Sequence, residues 1–449
     1  MLEDLIPLFQ VDALSKMMMG LVAFVASLVW AFARRYLQGD RQYSRFTWQL
    51  LLMCASVMLT ISADNLLVFF SAWCLSNLLL VLLMVHKAEW RAARASGWLA
   101  TRTFCLGAVF LGSGFFLLYR MTGELSIHKI IHLSTFFGSE QVLLTLPLSF
   151  ILLAAMSQSA IWPFHRWLLS SLNSPTPVSA IMHAGLINGG GLLLVRFAPL
   201  YLVESNLLLV IFTLGLATAV VGTLWKLLQQ DIKRMLACST MAQMGFMLLQ
   251  CGLGFFPAAV AHLCWHGLFK ATLFLGAGSA AQDKKDLVAI PPSFTRLVAA
   301  LCCGLLGSYS FAFTSGKEWF AMDSTLVLIG LAFLSTAQLA LIVLQSVRWQ
   351  DLWVTPLLST LGGACYGWSV FTATHWLDAL PLSAAQPLHI VHIIGLLLLV
   401  FAWLAMLYRS QLTQSSFLKD AIKPGYVRLL NASQPHPATV TTHRNHYHY

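Results

Sequence analysis

The sequence predicts an all-α polytopic membrane protein of about thirteen transmembrane helices, arranged as two inverted five-helix repeats with broken helices. Three observations predict it. The 449 residues are 58% hydrophobic and only 10% charged, against about 25% charged in a soluble globular chain. Apolar runs of about 20 residues recur along the whole length, each long enough to cross a bilayer. Within one of them, AHLCWHGLFKA places His262, His266 and Lys270 at four-residue spacing. That spacing stacks the three on one helix face, as a polar column of about 12 Å.

The runs lie near 17–33, 47–63, 65–85, 103–119, 143–161, 177–195, 205–225, 234–252, 257–280, 297–320, 324–346, 353–374 and 387–408. The first follows Glu3, Asp4 and Asp12 and ends without a small-residue cleavage site, unlike a removable signal. On this map 21 of the 27 lysines and arginines fall on one side, in stretches such as Arg34–Arg45, Lys87–Arg102, Lys226–Arg234 and Lys284–Arg296. The positive-inside rule then puts the amino end outside and the carboxyl end in the cytoplasm. The net charge of +10 is therefore topological and no sign of nucleic-acid binding.

Five stretches follow. Residues 1–46 hold the first helix and a basic cytoplasmic loop, 47–200 a first repeat, 201–350 a second, 351–409 the last helices, and 410–449 a tail. The tail's Pro, Thr and His content suits an extended segment, either unstructured or a strap that docks a cytoplasmic partner. Its His436, His443, His446 and His448 are at most a weak metal site. The nine cysteines have no metal-ligand spacing and read as small packing residues.

Two interruptions fall inside apolar runs. Pro163 follows Gln158 in the fifth, and Phe313–Glu318 (FTSGKE) breaks the tenth. Broken helices at membrane depth are tolerated where they line a cavity or a buried site, and paired ones point to an inverted repeat. The intramembrane titratable set is short: His183, His262, His266, Lys270, Lys317 and Glu318, with Asp64 at the end of the second span. Such groups persist in low dielectric when paired, so Glu318 is expected to neutralise Lys317 or Lys270. Lys270 lies too far from either end of its span to reach water along a lipid face, which favours a protein-lined polar axis. Alternating histidine and lysine on that axis can relay protons, because histidine titrates near neutrality and burial lowers a lysine toward that range. The plainer readings stay open beside it. His183 can be a hydrogen-bonded structural residue, His165 and Arg166 interfacial anchors, and Lys233 a topological charge or a further relay member.

Three segments then carry a resemblance: SPTPVSAIMHAG (Ser174–Gly185), DIKRMLACSTMAQMGFM (Asp231–Met247) and HLCWHGLFKATLFLGAGS (His262–Ser279). They resemble the antiporter-like subunits of respiratory complex I and of Mrp-type cation/proton antiporters. The resemblance implies a proton-translocating subunit. In it His262, His266 and Lys270 match the central relay, Lys317 and Glu318 the lysine–acid pair of the second broken helix, and His183 the histidine of the eighth helix. Two positions depart from the pattern. Cys74 stands where the family has a glutamate and Gln158 where it has a lysine. Since these are partners, losing both is electrostatically self-consistent. The amino end is also short by about two helices.

The SQSAIWPFHRW and NSPTPVSAIMHAG wording and the RNHY-containing tail look like a narrower group, the DabB family of two-component inorganic-carbon accumulation systems. That likeness implies a DabA-like cytoplasmic zinc protein as partner. Cation flux would energise its conversion of CO₂ to bicarbonate, with no metal or cofactor in this chain and no catalysis by it. It also implies a bacterial inner membrane. The alternative is a complex I or Mrp-type antiporter subunit.

Overall fold

A computed structural model describes residues 8–134, 143–278, 291–346, 353–378, 382–408 and 416–440. Among them every principal element is helical, and β-structure is confined to four isolated bridges. The helices are α1 (Ala13–Tyr36), α2 (Tyr43–Ser62), α3 (Leu66–Met84), α4 (Arg91–Thr122), α5 (Ile127–Ser134), α6 (Thr145–Gln158), α7 (Arg166–Leu169), α8 (Thr176–Ala184) and α9 (Gly189–Arg196). They continue as α10 (Ala198–Val203), α11 (Ser205–Leu228), α12 (Ile232–Gly252), α13 (Phe256–Leu275), α14 (Phe294–Ser315), α15 (Thr325–Ser346), α16 (Val354–Trp376), α17 (Ile390–Leu407) and α18 (Ser416–Ala432).

Each predicted run coincides with a helix, or for 177–195 with the pair α8 and α9. Among the described residues ten segments are long and apolar enough to cross a membrane. Large apolar side chains such as Trp48, Trp98, Phe269 and Phe401 are exposed on the outer faces, as a lipid-facing bundle requires.

The two ends of the bundle are polar in different ways. At one end Asp12 caps α1 by accepting the Ser15 N–H at 2.8 Å. Its other carboxylate oxygen pairs with Arg196 at the end of α9, which also donates to the Ile61 carbonyl at 2.8 Å. Asp64 joins this end by accepting the Ser126 hydroxyl and the His128 N–H at 3.0 Å. At the other end, where the basic loops gather, Asp40 pairs with His86 at 3.1 Å. Lys284 and Lys285 lie outside the described residues.

The first interruption is a true break. Helix α6 stops at Gln158, Ala160 takes a left-handed φ of 52°, and the Trp162–Pro163 peptide is cis. A second break, unforeseen from sequence, separates α8 from α9 at Gly185–Asn188. The expected interruption of the tenth run is corrected. Helix α14 is continuous to Ser315 and simply ends, capped by Gly316 at φ 68° in the left-handed region that glycine tolerates. Lys317 and Glu318 therefore lie in the connection beyond it and not in a mid-membrane break.

The tail is corrected too. Residues 416–432 form α18, and 433–440 pack against the basic end of their own chain. Gln229 donates to the Ser433 hydroxyl at 2.9 Å, Asn173 to the Thr439 carbonyl at 2.8 Å, and the His436 N–H to the Ser170 hydroxyl at 3.0 Å. Buried polar groups that find partners hold a segment that composition alone reads as extended. His443, His446 and His448 lie outside the described residues.

Candidate functional site: a buried histidine–lysine column

Helix α13 carries the column through the middle of the bundle. Lys270 is fully buried (0% exposed), and His266 and His262 nearly so (4% and 8%). The His262 and His266 rings run parallel, 6.1 Å apart between centroids and 11° between planes. Neither ring nitrogen of His266, nor Nε2 of His262, has a hydrogen-bond partner within the protein. Such groups are costly unless water or a mobile proton serves them.

Lys270 is anchored. Its Nζ donates to the Leu236 carbonyl of α12 at 3.4 Å. The Thr240 hydroxyl donates to the same carbonyl at 3.0 Å and lies 3.0 Å from Nδ1 of His183 on α8. A hydroxyl has one proton. With that proton on Leu236, His183 must donate from Nδ1, which leaves Nε2 as the acceptor. The His183 ring stacks on Phe274 at 4.2 Å, one turn beyond Lys270.

Gly267 permits the arrangement, since a Cβ there would stand 2.8 Å from the Ala184 carbonyl oxygen. Helix α13 can thus press against α8 and bring His183 to the column. Thr240 is the member that sequence reasoning missed. Its only signal was the four-residue offset from Leu236, which lets a threonine hydroxyl bond the preceding turn.

Lys233 lies on the same helix as Leu236, one turn nearer the basic end, half-buried, and donates to the Ser174 carbonyl at 3.1 Å. It sits at the edge where the tail docks, because Asn173, beside that carbonyl, holds Thr439.

The expected acid partner is not there. Glu318 is exposed, and among the described residues it pairs with neither Lys317 nor Lys270. Once α14 ends at Ser315, the next side chains belong to the surface connection. Lys317 instead sets its ammonium 4.0 Å from the centroid of the Phe255 ring, just before α13 begins. This is a cation–π contact. His165, expected as an interfacial anchor, is buried against Trp225 at 4.8 Å, whereas Arg166 is exposed.

The first half of the chain is differently built. Gln158 donates from Nε2 to Asn77 at 2.9 Å and to the Leu186 carbonyl at 3.4 Å. The amide thus engages Asn77, one turn along α3 from Cys74, and not Cys74 itself. Asn188 continues the neutral seam by donating to the Ala184 carbonyl at 3.0 Å and the Leu263 carbonyl at 3.4 Å. Gln158 and Asn188 line one cavity, and Asn188 ties that uncharged set to α13 through the Leu263 carbonyl. Among the described residues no group of three or more His, Cys, Asp and Glu could hold a metal ion.

These features define a class: a multi-pass membrane subunit whose helices enclose a column of titratable side chains. The chain belongs to the NADH:quinone oxidoreductase/Mrp antiporter transmembrane family, whose profile matches residues 63–295, over half its length. The profile described as NADH-ubiquinone oxidoreductase (complex I), chain 5 N-terminus matches residues 7–47.

Among curated relatives it is 35% identical to "Probable inorganic carbon transporter subunit DabB1" of Halothiobacillus neapolitanus, over 82% of this chain and 64% of that one. It is 36% identical to "Probable inorganic carbon transporter subunit DabB" of Bacillus subtilis, over 71% and 64%. It is 35% identical to NADH-quinone oxidoreductase subunit L of Pseudomonas aeruginosa, over 67% and 50%. The chain thus spans less than two thirds of the length of these relatives. Among solved structures, the Mrp complex from Dietzia sp. DQ12-45-1b shares the fold at a TM-score of 0.55 and 21% identity, covering 98% of this chain and 46% of that one. An archaeal membrane-bound sulfane sulfur reductase complex does so at 0.56 and 16%, covering 95% and 85%.

Proposed function

We propose that this chain is the proton-conducting membrane subunit of an inorganic-carbon (CO₂/bicarbonate) uptake complex. In this reading protons pass along His262, His266, Lys270 and His183 toward Lys233 and the basic end of the bundle. The observation that carries it is the convergence of Lys270 and the His183–Thr240 pair on the Leu236 carbonyl. One titratable group reaches that carbonyl directly and a second, from another helix, reaches it through a hydroxyl, both fully buried, with two more on the same face of α13.

Lysine and histidine suit the task for different reasons. A buried ammonium has lost most of its hydration, so it exchanges its proton more readily than in water. An imidazole can take a proton on one nitrogen and release one from the other. Among the described residues no carboxylate pairs with Lys270, which favours transient charge on the column over a fixed ion pair.

The charge bias supports an amino end outside and a carboxyl end in the cytoplasm of a bacterial inner membrane. The docked tail then lies on the side where a soluble partner binds. The DabB-named relatives support inorganic carbon as the cargo. The partner in this reading is a DabA-like cytoplasmic zinc protein that carries the metal and the carbonic-anhydrase-like chemistry, while this chain holds no cofactor and transports without catalysing. In this reading Lys317 and Glu318 belong to the margin of the relay, and Cys74 and Gln158 leave the first half without a charged pair.

The test is flux and growth together. Lys270→Met should abolish proton flux in liposomes and growth at ambient CO₂ while the protein still assembles. Wild-type flux from that variant would overturn the reading. The likeness to subunit L favours one rival, a subunit of a complex I or Mrp assembly. Purification from the native host decides between them, since the rival returns a large set of membrane subunits and the present reading one zinc protein.

A further inference from the structure

Helix α5 follows α4 at the end of the bundle that holds Asp12 and Arg196, and the column on α13 makes no use of it. Its Ile127, Ile130 and Ile131 recur at helical spacing and are nearly fully buried, so one face packs inward. His128 and His132, four residues apart, share another face, where His132 is exposed and His128 half-buried. Their Nε2 atoms stand 3.1 Å apart. The ring centroids are 4.5 Å apart and the planes meet at 78°. The centroids are thus little further apart than the nitrogens. The two nitrogen corners lie side by side, and not head to head as a straight N–H···N bond would place them.

That geometry suits a shared third atom. An imidazole nitrogen binds Zn²⁺ at about 2.0–2.1 Å. Two such bonds at a tetrahedral angle set the nitrogens about 3.3 Å apart, and at a square-planar right angle about 2.9 Å. The observed separation lies between the two, so an ion can bridge the pair with little movement of either ring.

The pair also stands on a fixed base. The Ile127 N–H donates to the Asp64 carbonyl at 2.6 Å and the Leu66 N–H to the Leu125 carbonyl at 2.9 Å. The Asp64 carboxylate accepts the Ser126 hydroxyl and the His128 N–H. The first turn of α5 is therefore tied to the α2–α3 corner, and His128 with it. The surrounding charges suit a cation. Asp64 places a carboxylate at the His128 backbone, and the adjacent Lys129 ammonium is paired with Glu124 at 3.5 Å.

We infer that His128 and His132 form a chelating site for a divalent transition ion of the imidazole-preferring class, Cu²⁺ or Zn²⁺. Each ring binds through Nε2 with its own proton on Nδ1, and water completes the coordination. Among the described residues no group of three or more such ligands exists, so the ion is exchangeable and no resident cofactor. Imidazole holds Cu²⁺ more tightly than Zn²⁺, while Mg²⁺ takes oxygen ligands and does not compete. The inference is independent of the conductor reading, since it asks nothing of the column.

The experiment uses the full-length protein in detergent, titrated with Zn²⁺ or Cu²⁺ against a competing chelator. The background carries His443→Ala, His446→Ala and His448→Ala, so that the end of the tail takes up no metal. In it, His128→Ala and His132→Ala should each weaken Zn²⁺ binding about tenfold or more, and excess Mg²⁺ should leave it unchanged. The electron paramagnetic resonance spectrum of bound Cu²⁺ should show two imidazole nitrogens, and lose one in either variant. Binding unchanged in both variants, or absent from the background itself, would leave an adventitious ion only and overturn the inference.

Hydrogen exchange supplies a second reading. Zn²⁺ should slow exchange of the backbone amides of α5 in the background protein and not in His128→Ala. Equal exchange with and without Zn²⁺ in the background protein would deny that an ion bridges this turn. Equal thermal midpoints of all variants without metal tie the lost binding to the ligands and not to unfolding.

Discussion

His183 and Lys270, from helices α8 and α13, meet at one atom that belongs to neither helix: the Leu236 carbonyl oxygen of α12, which Lys270 reaches directly and His183 reaches through the Thr240 hydroxyl. The junction ties three helices together and sets the distance between two titratable groups. It also makes an unremarked threonine part of the site.

Thr240→Val should therefore act on both stability and flux. The exchange keeps shape and removes the hydroxyl that joins His183 to Leu236. It leaves His183 Nδ1 buried without a partner, a cost of about 1–3 kcal/mol. Proton flux in liposomes should fall, and Thr240→Ser should restore it. Equal flux from Val and Ser variants would show that the hydroxyl plays no part.

In the first half, Gln158→Ala looks nearly silent from sequence, since the family's charged pair is already gone. The structure changes that expectation for stability. Removing the amide strands Asn77 Oδ1 and the Leu186 carbonyl in the interior. Thermal unfolding in detergent should show a loss of about 1–3 kcal/mol. Flux should be unaffected in the molecules that remain folded. A double-mutant cycle with Asn77→Leu should recover about 1 kcal/mol of coupling, and additive losses would deny the pairing.

Asp12 and Arg196 make the bundle acid-sensitive in a defined window. Partial burial pushes the Asp12 carboxyl up. The Arg196 guanidinium and the Ser15 N–H and hydroxyl outweigh it, holding the carboxyl below its ordinary 3.8. A group whose pKa is depressed in the folded state stabilises above its unfolded pKa, and that contribution is lost as pH falls through the folded one. Stability should thus be flat near neutrality and drop below about pH 3.8. Asp12→Asn should be less stable at neutral pH and should lack that part of the drop. Arg196→Met, which leaves the carboxylate unpaired, should cost about 3 kcal/mol.

The docked tail gives a fourth expectation. Truncation after Ala432 removes the partners of Gln229, Asn173 and Ser170. Backbone amides around Ser170–Ser174 should then exchange hydrogen faster, and Gln229→Leu should reproduce part of the effect. Unchanged exchange would mean that the tail contributes nothing to that edge.

Much of this architecture was legible in the chain because hydropathy is a local property. Runs of about 20 apolar residues can only be helices in a bilayer, since each backbone group must find its partner within its own segment. The four-residue spacing of His262, His266 and Lys270 put them on one face for the same reason. The α8–α9 break was less legible, because small residues such as Gly185 and Gly189–Gly191 are ordinary in membrane helices.

What the sequence determined by itself was thus the helical bundle, the direction of its charge bias and the column on α13. Only the tertiary structure decided what the column touches. It joined His183 to Lys270 through Thr240 and paired Gln158 with Asn77. It also ended α14 before Lys317 and Glu318, so the neutralising pair expected from adjacency never forms. The physical reason is common to all of these. A helix's own geometry fixes which side chains share a face, but a buried polar atom takes its partner from whichever neighbouring helix packs closest, and that choice is made by packing across the whole bundle.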